Sequence, residues 1–505
     1  MEIASVRLIK PALVTGFGTA VGMWTVWYIL HLPGVHAPQL LSSLLLGGVL
    51  VFGCALGAMG VSGKRSSITV GLLAGLISAM VNLLLLGSKV VSQPTSTESI
   101  AEHANQLRPD APLIVLGFLG LSAAIGAIAG FLGSTRARER TSEPIWIGRF
   151  AIVLTFALLP LVIAGGIVTS TESGMSVPDS VTTYGSISVL FPLSLMAEPH
   201  VFFEHTHRLF GTLVGLTALV MAIWAVGRDR AWATGAVGLA MISVLTGTLA
   251  AELAEKLPIS AAIGIIIGIS LLVLVVTVLA ILRGRIAAAS MGILVLVVGQ
   301  GLLGALRVSE ISTPLAMVHG VLAQLVFACA AALAASIRFE QTMPETDLPE
   351  QTGKAITQAH KFALWAVWAL VLQLILGAGY RHTSSHAFLG AHVLLALAVA
   401  TLVILVGLAL GQADRESKTG RWAKRRGKGL THLVITQVAL GIIAVIFVTM
   451  GNANRPIPSS DELAEAPPLP KTEAIFTTAH QATGAALLAL TGATFIRTRP
   501  RRKTG

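Results

Sequence analysis

The chain has little charge and almost no cysteine. Only 12% of its 505 residues are charged, whereas 54% are hydrophobic, and the mean hydropathy is +0.80. Soluble domains carry about a quarter charged residues, so this composition excludes an ordinary soluble protein. The two cysteines, Cys54 and Cys329, both fall in apolar stretches. We therefore expect no disulfide, zinc site or thiol nucleophile, and we treat both side chains as small buried hydrophobes.

The chain consists instead of repeated apolar stretches of about 20 residues, each long enough to cross roughly 30 Å of hydrocarbon as a helix. These stretches are continuous rather than alternating, which excludes a transmembrane β-barrel. The sequence predicts an all-α polytopic membrane protein with about fourteen transmembrane helices. Their approximate cores are 11–31, 40–61, 67–90, 112–134, 148–170, 203–226, 232–252, 258–282, 287–306, 314–337, 360–380, 388–411, 430–450 and 475–496.

The net charge of +11 is explained by basic loops that set the membrane topology, so it gives no reason to expect a nucleic-acid partner. Lysine and arginine concentrate in alternate loops, which marks those loops as cytoplasmic. These basic stretches are 64–65, 136–140, 228–230, 283–285, 415–428 and 497–503. An even number of spans then places both termini in the cytoplasm. The expected location is the bacterial cytoplasmic membrane, with the lipid bilayer as the immediate surroundings.

A short motif recurs at a fixed distance from a histidine. From Gln300 and again from Gln373 the sequence reads Gln-x-x-Leu-Gly-Ala, followed by an arginine and then by His319 or His392. Each of these histidines comes nineteen residues after its glutamine. The chain therefore contains an internal repeat that carries a potential metal ligand.

Two looser copies bring the number of such histidines to four. TQVALG ends at Gly441 ahead of His480, and LVIAGG ends at Gly166 ahead of His207. All four histidines begin spans predicted to run from outside to inside, so they share the outer third of the membrane. A polar side chain at that depth is costly unless it binds something. Since two facing imidazoles can clamp one haem iron, four ligands predict two haem-sized pockets toward the outer face.

A carboxylate accompanies the first of these histidines. Glu204 and His207 are three residues apart and share a helix face, and Arg208 follows Glu204 by four. His205 lies on roughly the opposite side of the same helix. Glu204 is either a proton acceptor for chemistry at a bound group or half of a structural pair with Arg208. The sequence leaves both roles open.

Five ordered strings of the chain resemble the haem A synthase family of cytochrome oxidase assembly. They are AGGIVTSTESGMSVPD (164–179), EHTHRLFGTLVGL (204–216), GQGLLGALRV with STPLAMVHGVLAQ (299–324), QLILGAGYRH with AHVLLALAV (373–399), and TTAHQATGAALLA (477–489). The resemblance covers about 145–497. It implies an eight-helix core of two pseudo-symmetric four-helix bundles, each with a histidine pair.

The resemblance also implies an activity, which is oxidation of the methyl group of haem O to the formyl group of haem A. In such enzymes the C-terminal bundle holds a b-type haem, so His392 and His480 would be its axial ligands. His207 and His319 would flank the substrate haem, and Glu204 would be the catalytic carboxylate. The implied partners are a haem O synthase upstream and a haem-copper oxidase in assembly downstream. An oligomer is left open.

Three arginines lie near the predicted outer face, where haem propionates would be: Arg208, Arg307 and Arg381. Each is either a propionate contact or an ordinary arginine whose head group reaches the membrane interface. The sequence does not separate the two roles.

The resemblance divides the chain into parts. Residues 1–140 form a four-helix membrane region of unassigned role. Residues 145–340 form the substrate-haem bundle with a two-helix insertion at about 232–282 that the eight-helix core does not need. A cytoplasmic linker at 341–357 leads to the haem b bundle at 358–497.

The predicted outer loop 171–200 departs from the family pattern. Some members carry a cysteine pair there, and this chain has none, so a thiol-dependent step is not expected. Its ionisable residues Glu172, Asp179, Glu198 and His200 are interpreted as solvated loop residues.

Three alternative functions remain at this stage. A di-haem electron-transfer cytochrome would keep all four histidines but would not need Glu204. A family member that only handles or delivers haem would also bind haem without oxidising it. A secondary transporter is favoured by span count and internal repeats, although few charged residues stand in mid-membrane.

Overall fold

The computed structural model describes residues 2–35, 37–85, 87–91, 106–135, 146–177, 183–184, 186–191, 196–228, 259–310, 313–341, 348–450 and 471–500. Over these residues the regular structure is helical. Two isolated β-bridges, Val91 with Leu107 and Thr183 with Ser186, are the only extended pairings found within the described ranges.

Thirteen α-helices lie within the described residues. They are α1 (Glu2–Leu30), α2 (Gln39–Ala58), α3 (Lys64–Leu85), α4 (Ala111–Ser134), α5 (Trp146–Ser170), α6 (Pro199–Arg228), α7 (Ile259–Leu282), α8 (Ile286–Glu310), α9 (Thr313–Gln341), α10 (Glu350–Thr383), α11 (His386–Gly411), α12 (Lys418–Met450) and α13 (Lys471–Thr498).

Eleven of the described helices are long and apolar enough to cross a membrane, namely α1–α6 and α8–α12. The expectation of a multi-pass helical membrane protein is confirmed at that level. Helix α7 contributes a shorter apolar stretch, Ile267–Leu282, and α13 is a full-length helix outside those eleven. The predicted span 232–252 lies outside the described residues. The eight-helix core and the positions of the termini remain predictions.

The chain divides into two compact units. The first comprises 1–164 and 172–217, together with 457–466, which lies outside the described residues. Within it α3 packs on α1 and α4, and α2 packs on α4. A Cβ atom on Gly71 or Gly75 of α3 would collide with the backbone of α4 at Gly126 or Ser122. Glycine is therefore required for these two helices to approach so closely.

An aromatic ladder on α1 packs against α6 within the first unit. Trp24 stacks on Trp27 with ring centroids 4.6 Å apart, and Tyr28 meets Phe210 of α6 edge-on at 5.4 Å. Trp27 also stacks on Phe202 of α6 at 6.2 Å. Helix α1 thus packs directly against the helix that carries Glu204.

The second unit comprises 165–171, 218–456 and 467–505. Its last four helices close a ring in which α10 contacts α11, α11 contacts α12, α12 contacts α13, and α13 contacts α10. The buried faces repeat at helical spacing, as Ala355, Ala359 and Ala363 on α10 show against Val403 and Val406 on α11. Helix α9 packs on the outside of this four-helix bundle against α13.

Large apolar side chains point outward from both units. Trp365 and Trp368 of α10 are each 64% exposed, and Leu394 and Leu397 of α11 are about as open. Exposed apolar faces of this extent suit contact with lipid chains.

Candidate functional site

The ring of His392 rests on the backbone of the neighbouring helix. Its Nδ1 atom lies 3.0 Å from the main-chain oxygen of Gln373 on α10. A Cβ atom on Gly377, one turn further along α10, would come within 2.9 Å of the His392 Cε1 atom. The imidazole therefore lies in a notch that has a glutamine carbonyl at one edge and a glycine as its floor.

His480 lies in a second notch of the same kind, on α12. Its Nδ1 atom lies 3.2 Å from the main-chain oxygen of Gln437 on α12, and a Cβ atom on Gly441 would meet its Cε1 atom at 2.8 Å. The structure thus explains the repeated Gln-x-x-Leu-Gly motif. The glutamine supplies the carbonyl, and the glycine four residues later leaves room for the ring.

His319 of α9 lies against the third copy of the motif, on α8. A Cβ atom on Gly304 would stand 3.3 Å from the His319 Cε1 atom. The fourth copy is different, because Gly166 of α5 packs against Gln481 and Thr478 of α13. The looser match of LVIAGG, which has no glutamine, therefore corresponds to a different contact.

The contacts with main-chain carbonyls determine which ring nitrogen of each histidine is left available to bind a metal. A main-chain carbonyl can only accept, so Nδ1 of His392 and of His480 carries the proton and Nε2 keeps its lone pair. Metal-binding histidines have this arrangement, in which the outer hydrogen bond orients the ring and fixes the tautomer. The amide of Gln373 also donates to the main-chain oxygen of His392 at 2.9 Å, which ties the two helices together.

His392 and His480 face each other inside the C-terminal bundle. Their ring centroids are 6.2 Å apart with an interplanar angle of 75°. Imidazole nitrogen binds transition metals at about 2 Å, so two opposed nitrogens around one metal would be about 4 Å apart and the centroids somewhat further. The observed separation fits a pair of axial ligands.

Two buried amide oxygens adjoin this pair. The Oε1 atoms of Gln373 and Gln437 accept no hydrogen bond from any described residue. The amide nitrogen of Gln437 lies 3.4 Å from Nε2 of His480. Unsatisfied buried acceptors are costly, and they indicate a place where a further group belongs. The protonation of each ring at Nδ1, the separation of the two rings and the unsatisfied amide oxygens beside them all fit a haem iron held by two histidines.

Glu204 is buried in the first unit and held on both carboxylate oxygens. Its Oε1 atom accepts from Arg208 at 2.7 Å. Its Oε2 atom accepts from the Ser176 hydroxyl at 3.2 Å and from the Val177 main-chain N–H at 3.1 Å. The Glu204–Arg208 pair, one of the two roles left open by the sequence, is therefore present. The contacts from 176–177 are an additional feature that spacing along α6 could not reveal.

The described part of the loop before α6 folds back over its first turns. Ser173 hydrogen-bonds His200 at 3.0 Å, and Thr183 hydrogen-bonds His205 at 3.2 Å. His205 is fully buried and also packs on the Phe191 ring at 4.7 Å. The loop hydroxyls thus reach three ionisable residues of α6. Their only sequence signal was the density of serine and threonine.

One interpretation of this loop is wrong. His200 is buried within the first turn of α6 rather than solvated, because the loop covers it. Glu198 has a structural role, since its carboxylate accepts from the Val201 N–H at 2.7 Å and caps the exposed start of the helix. Asp179 lies outside the described residues.

The remaining predicted residues lie as follows. His207 is half-buried on α6, one turn from Glu204, in the first unit, whereas His319 belongs to the second unit. Arg381 donates to the main-chain oxygen of Thr169 at 2.6 Å, so part of its guanidinium binds backbone. Arg307 lies on α8, and its side chain is outside the described part of the structure.

Among the described residues, no group of three or more histidine, cysteine, aspartate or glutamate side chains could hold a metal ion. The site chemistry found there is that of paired histidines and one buried carboxylate. No family model, curated protein or solved structure matches the chain.

Proposed function

We propose that the protein is a haem A synthase, which oxidises the methyl group of haem O to the formyl group of haem A. The observation that carries the proposal is the His392–His480 pair, with rings 6.2 Å apart and each Nδ1 on a main-chain carbonyl. This pair would hold a haem b as cofactor. His319 rests on the same kind of glycine floor and is assigned as a further haem ligand.

The bound haem b would supply one-electron redox chemistry at the pair. The overall change at the substrate carbon adds one oxygen atom from water and releases four protons and four electrons, so the reaction also requires an external electron acceptor. A base near that carbon is therefore needed, because protons leave as the methyl group becomes an aldehyde.

Glu204 is the base in this proposal. Arg208 holds Oε1, while Ser176 and the Val177 N–H hold Oε2, so the carboxylate has one fixed orientation. Oε2 would accept the proton, and the Ser176 hydroxyl is the first group to which that proton could pass. Burial of Glu204 keeps bulk water away and strengthens its electrostatic influence. His207 lies one helical turn away on α6 and would be a ligand of the substrate haem.

The proposed setting is the cytoplasmic membrane, with both haem sites toward the outer face. Haem O would come from a haem O synthase, and haem A would go to a haem-copper oxidase in assembly. The apolar helices support the membrane part of this proposal.

The experiment is to produce the protein together with a haem O synthase in a host that lacks haem A. Extracted haems are then identified by chromatography and mass. We expect haem A or its hydroxylated precursor from the wild-type protein. Haem B and haem O alone, from well-expressed and haem-loaded protein, would contradict the proposal.

A second candidate is di-haem electron transfer without oxidation of the substrate. The Glu204–Arg208 ion pair favours it, because a buried carboxylate next to an arginine can be purely structural. The variant Glu204→Gln separates the two functions. An enzyme would lose product while keeping its haem b, and a cytochrome would keep its redox behaviour. Asp110→Asn is the matched control, since Asp110 pairs with Arg108 in the same unit but on the surface.

A further inference from the structure

Three arginines converge at one end of the second unit, on the helices that also carry histidine motifs or their neighbours. Arg338 stands near the end of α9, Arg426 lies on α12, and Arg497 is the last residue but one of α13. Helix α13 packs against both α9 and α12. Among the described residues, the charged side chains close enough to act on the Arg497 guanidinium are Arg338 and Arg426, which carry the same sign of charge.

Two of these arginines are withdrawn from water with no anionic partner in the part of the chain that the structure describes. Arg426 and Arg497 are half-buried, and neither forms an ion pair with any described residue. One face of the Arg497 guanidinium lies over the Trp422 ring at 4.2 Å. Desolvated like charges in one place are unfavourable unless an anion joins them.

Arg426 faces the inside of the C-terminal bundle. It precedes Gln437 by eleven residues, which is close to three full helical turns, so both share one face of α12. Gln437 contacts His480 of α13. Arg426 comes eight residues after the start of α12, so it lies about 12 Å along the helix from Lys418.

The two described carboxylates that immediately precede α12 are Asp414 and Glu416; Glu416 is exposed, and Asp414 already has hydrogen-bond partners. Asp414 accepts hydrogen bonds from Thr352, from the Ser417 hydroxyl and from the main-chain N–H groups of Glu416 and Ser417. These bonds hold it in the turn that precedes α12, where it caps two main-chain N–H groups, while the Ser417 hydroxyl caps the first turn of the helix through the Gly420 N–H. It does not pair with Arg426 or Arg497.

We propose that Arg426 and Arg497, with Arg338 at the rim, form a binding site for the phosphate headgroup of an anionic phospholipid. One guanidinium group can donate two parallel hydrogen bonds to a phosphate, and basic pockets at the ends of membrane helices bind anionic headgroups. The site lies at the ends of α9 and α13, where helices meet the membrane surface, and beside a tryptophan, which is enriched at that depth. These features favour a lipid over a soluble anion.

The test uses the full-length protein, purified and delipidated in detergent. Its thermal unfolding is followed while dioctanoyl phosphatidylglycerol, dioctanoyl phosphatidylcholine or inorganic phosphate is added. We expect saturable stabilisation by phosphatidylglycerol alone. Replacing each arginine, Arg426→Gln and Arg497→Gln, should weaken the apparent affinity about tenfold, because each removes a charge-assisted pair of hydrogen bonds.

The control is Lys424→Gln with Arg425→Gln, which removes two positive charges, one more than either single arginine variant, from the turn of α12 that carries Arg426. We expect this double variant to bind phosphatidylglycerol as the wild type does. Should the glutamine variants fold poorly, Arg426→Lys and Arg497→Lys keep the charge but lose the paired geometry, and we expect them to bind more weakly. Equal stabilisation of wild type and arginine variants would overturn the proposal. Stabilisation by inorganic phosphate to the same extent, or by phosphatidylcholine, would also overturn it.

Discussion

The Nδ1 atom of His392 lies 3.0 Å from the main-chain oxygen of Gln373, nineteen residues earlier in the chain. His480 repeats the relationship with Gln437 at 3.2 Å. The motif therefore works as a helix-to-helix notch that aims Nε2 of a histidine away from the backbone that holds it. Both of these notches combine a main-chain acceptor with space for the ring.

Replacing the floor of the notch should weaken haem binding. Gly377→Ala or Gly441→Ala places a methyl group within 3 Å of the imidazole, so the ring must move. Overpacking of this kind costs about 1–3 kcal/mol, which, if it falls on the haem-bound state, corresponds to a loss of haem affinity of about five- to 150-fold. The haem-to-protein ratio and the absorbance spectrum of the purified protein measure it. Gly353→Ala on the same helix is the control, since nothing lies within 4 Å of its Cβ position. Unchanged haem loading in both notch variants would contradict the assignment of the axial pair.

The Ser176 hydroxyl should matter for turnover but not for haem b content. Ser176→Ala removes one hydrogen bond to Oε2 of Glu204, and a bond to a charged group contributes about 1.5–3 kcal/mol. Haem A formation should fall by about tenfold or more, measured as extracted haem A per haem b. Thr217→Val is a buried control on α6, because that hydroxyl bonds only its own helix. Equal haem A yields from the two variants would remove Ser176 from the proposed proton path.

The aromatic ladder of α1 should stabilise the first unit. Trp24 is fully buried, and Trp→Ala substitutions at such sites cost about 3–5 kcal/mol. Trp24→Ala should therefore lower the unfolding temperature in detergent and reduce the yield of haem A through disordered packing of α6. Trp368→Ala provides the comparison, since its side chain is 64% exposed and faces outward. If both variants melt at the same temperature, α1 does not support α6.

The hydrogen bonds accepted by Asp414 should make the stability of the protein depend on pH in the acidic range. The hydrogen bond from Thr352, followed by those from Ser417, holds the pKa of the Asp414 carboxyl below its ordinary value. A carboxyl with a lowered folded-state pKa stabilises the protein above its unfolded-state pKa, and the contribution is lost as pH falls through the folded-state value.

Asp414→Asn should therefore lower the unfolding temperature at neutral pH, and the difference from wild type should shrink only below about pH 4. Thermal unfolding at neutral and acidic pH measures both effects. Glu416→Gln is the control, because its exposed side chain takes no part in the cap. A difference that stays constant down to strongly acidic pH would show that the charge on Asp414 is not involved.

The sequence by itself determined the helices and their membrane character. Continuous apolar runs of span length leave few structures other than helices, since lipid cannot satisfy open backbone groups. It also determined that Gln373 and His392 belong to one repeated unit, because motif and spacing recur at Gln300 and His319. Local spacing likewise made the Glu204–Arg208 pair one of two alternatives, because residues four apart on a helix are neighbours.

Only the tertiary structure decided what these residues touch. That the glycine of the motif is a floor for an imidazole depends on how α10 packs on α11, which the order of residues does not encode locally. The burial of His200 and the contacts of Ser176 depend on a loop that folds back onto α6, and irregular backbone has no periodicity to predict it. The convergence of Arg426 and Arg497 joins residues on two helices, so only packing could bring them together.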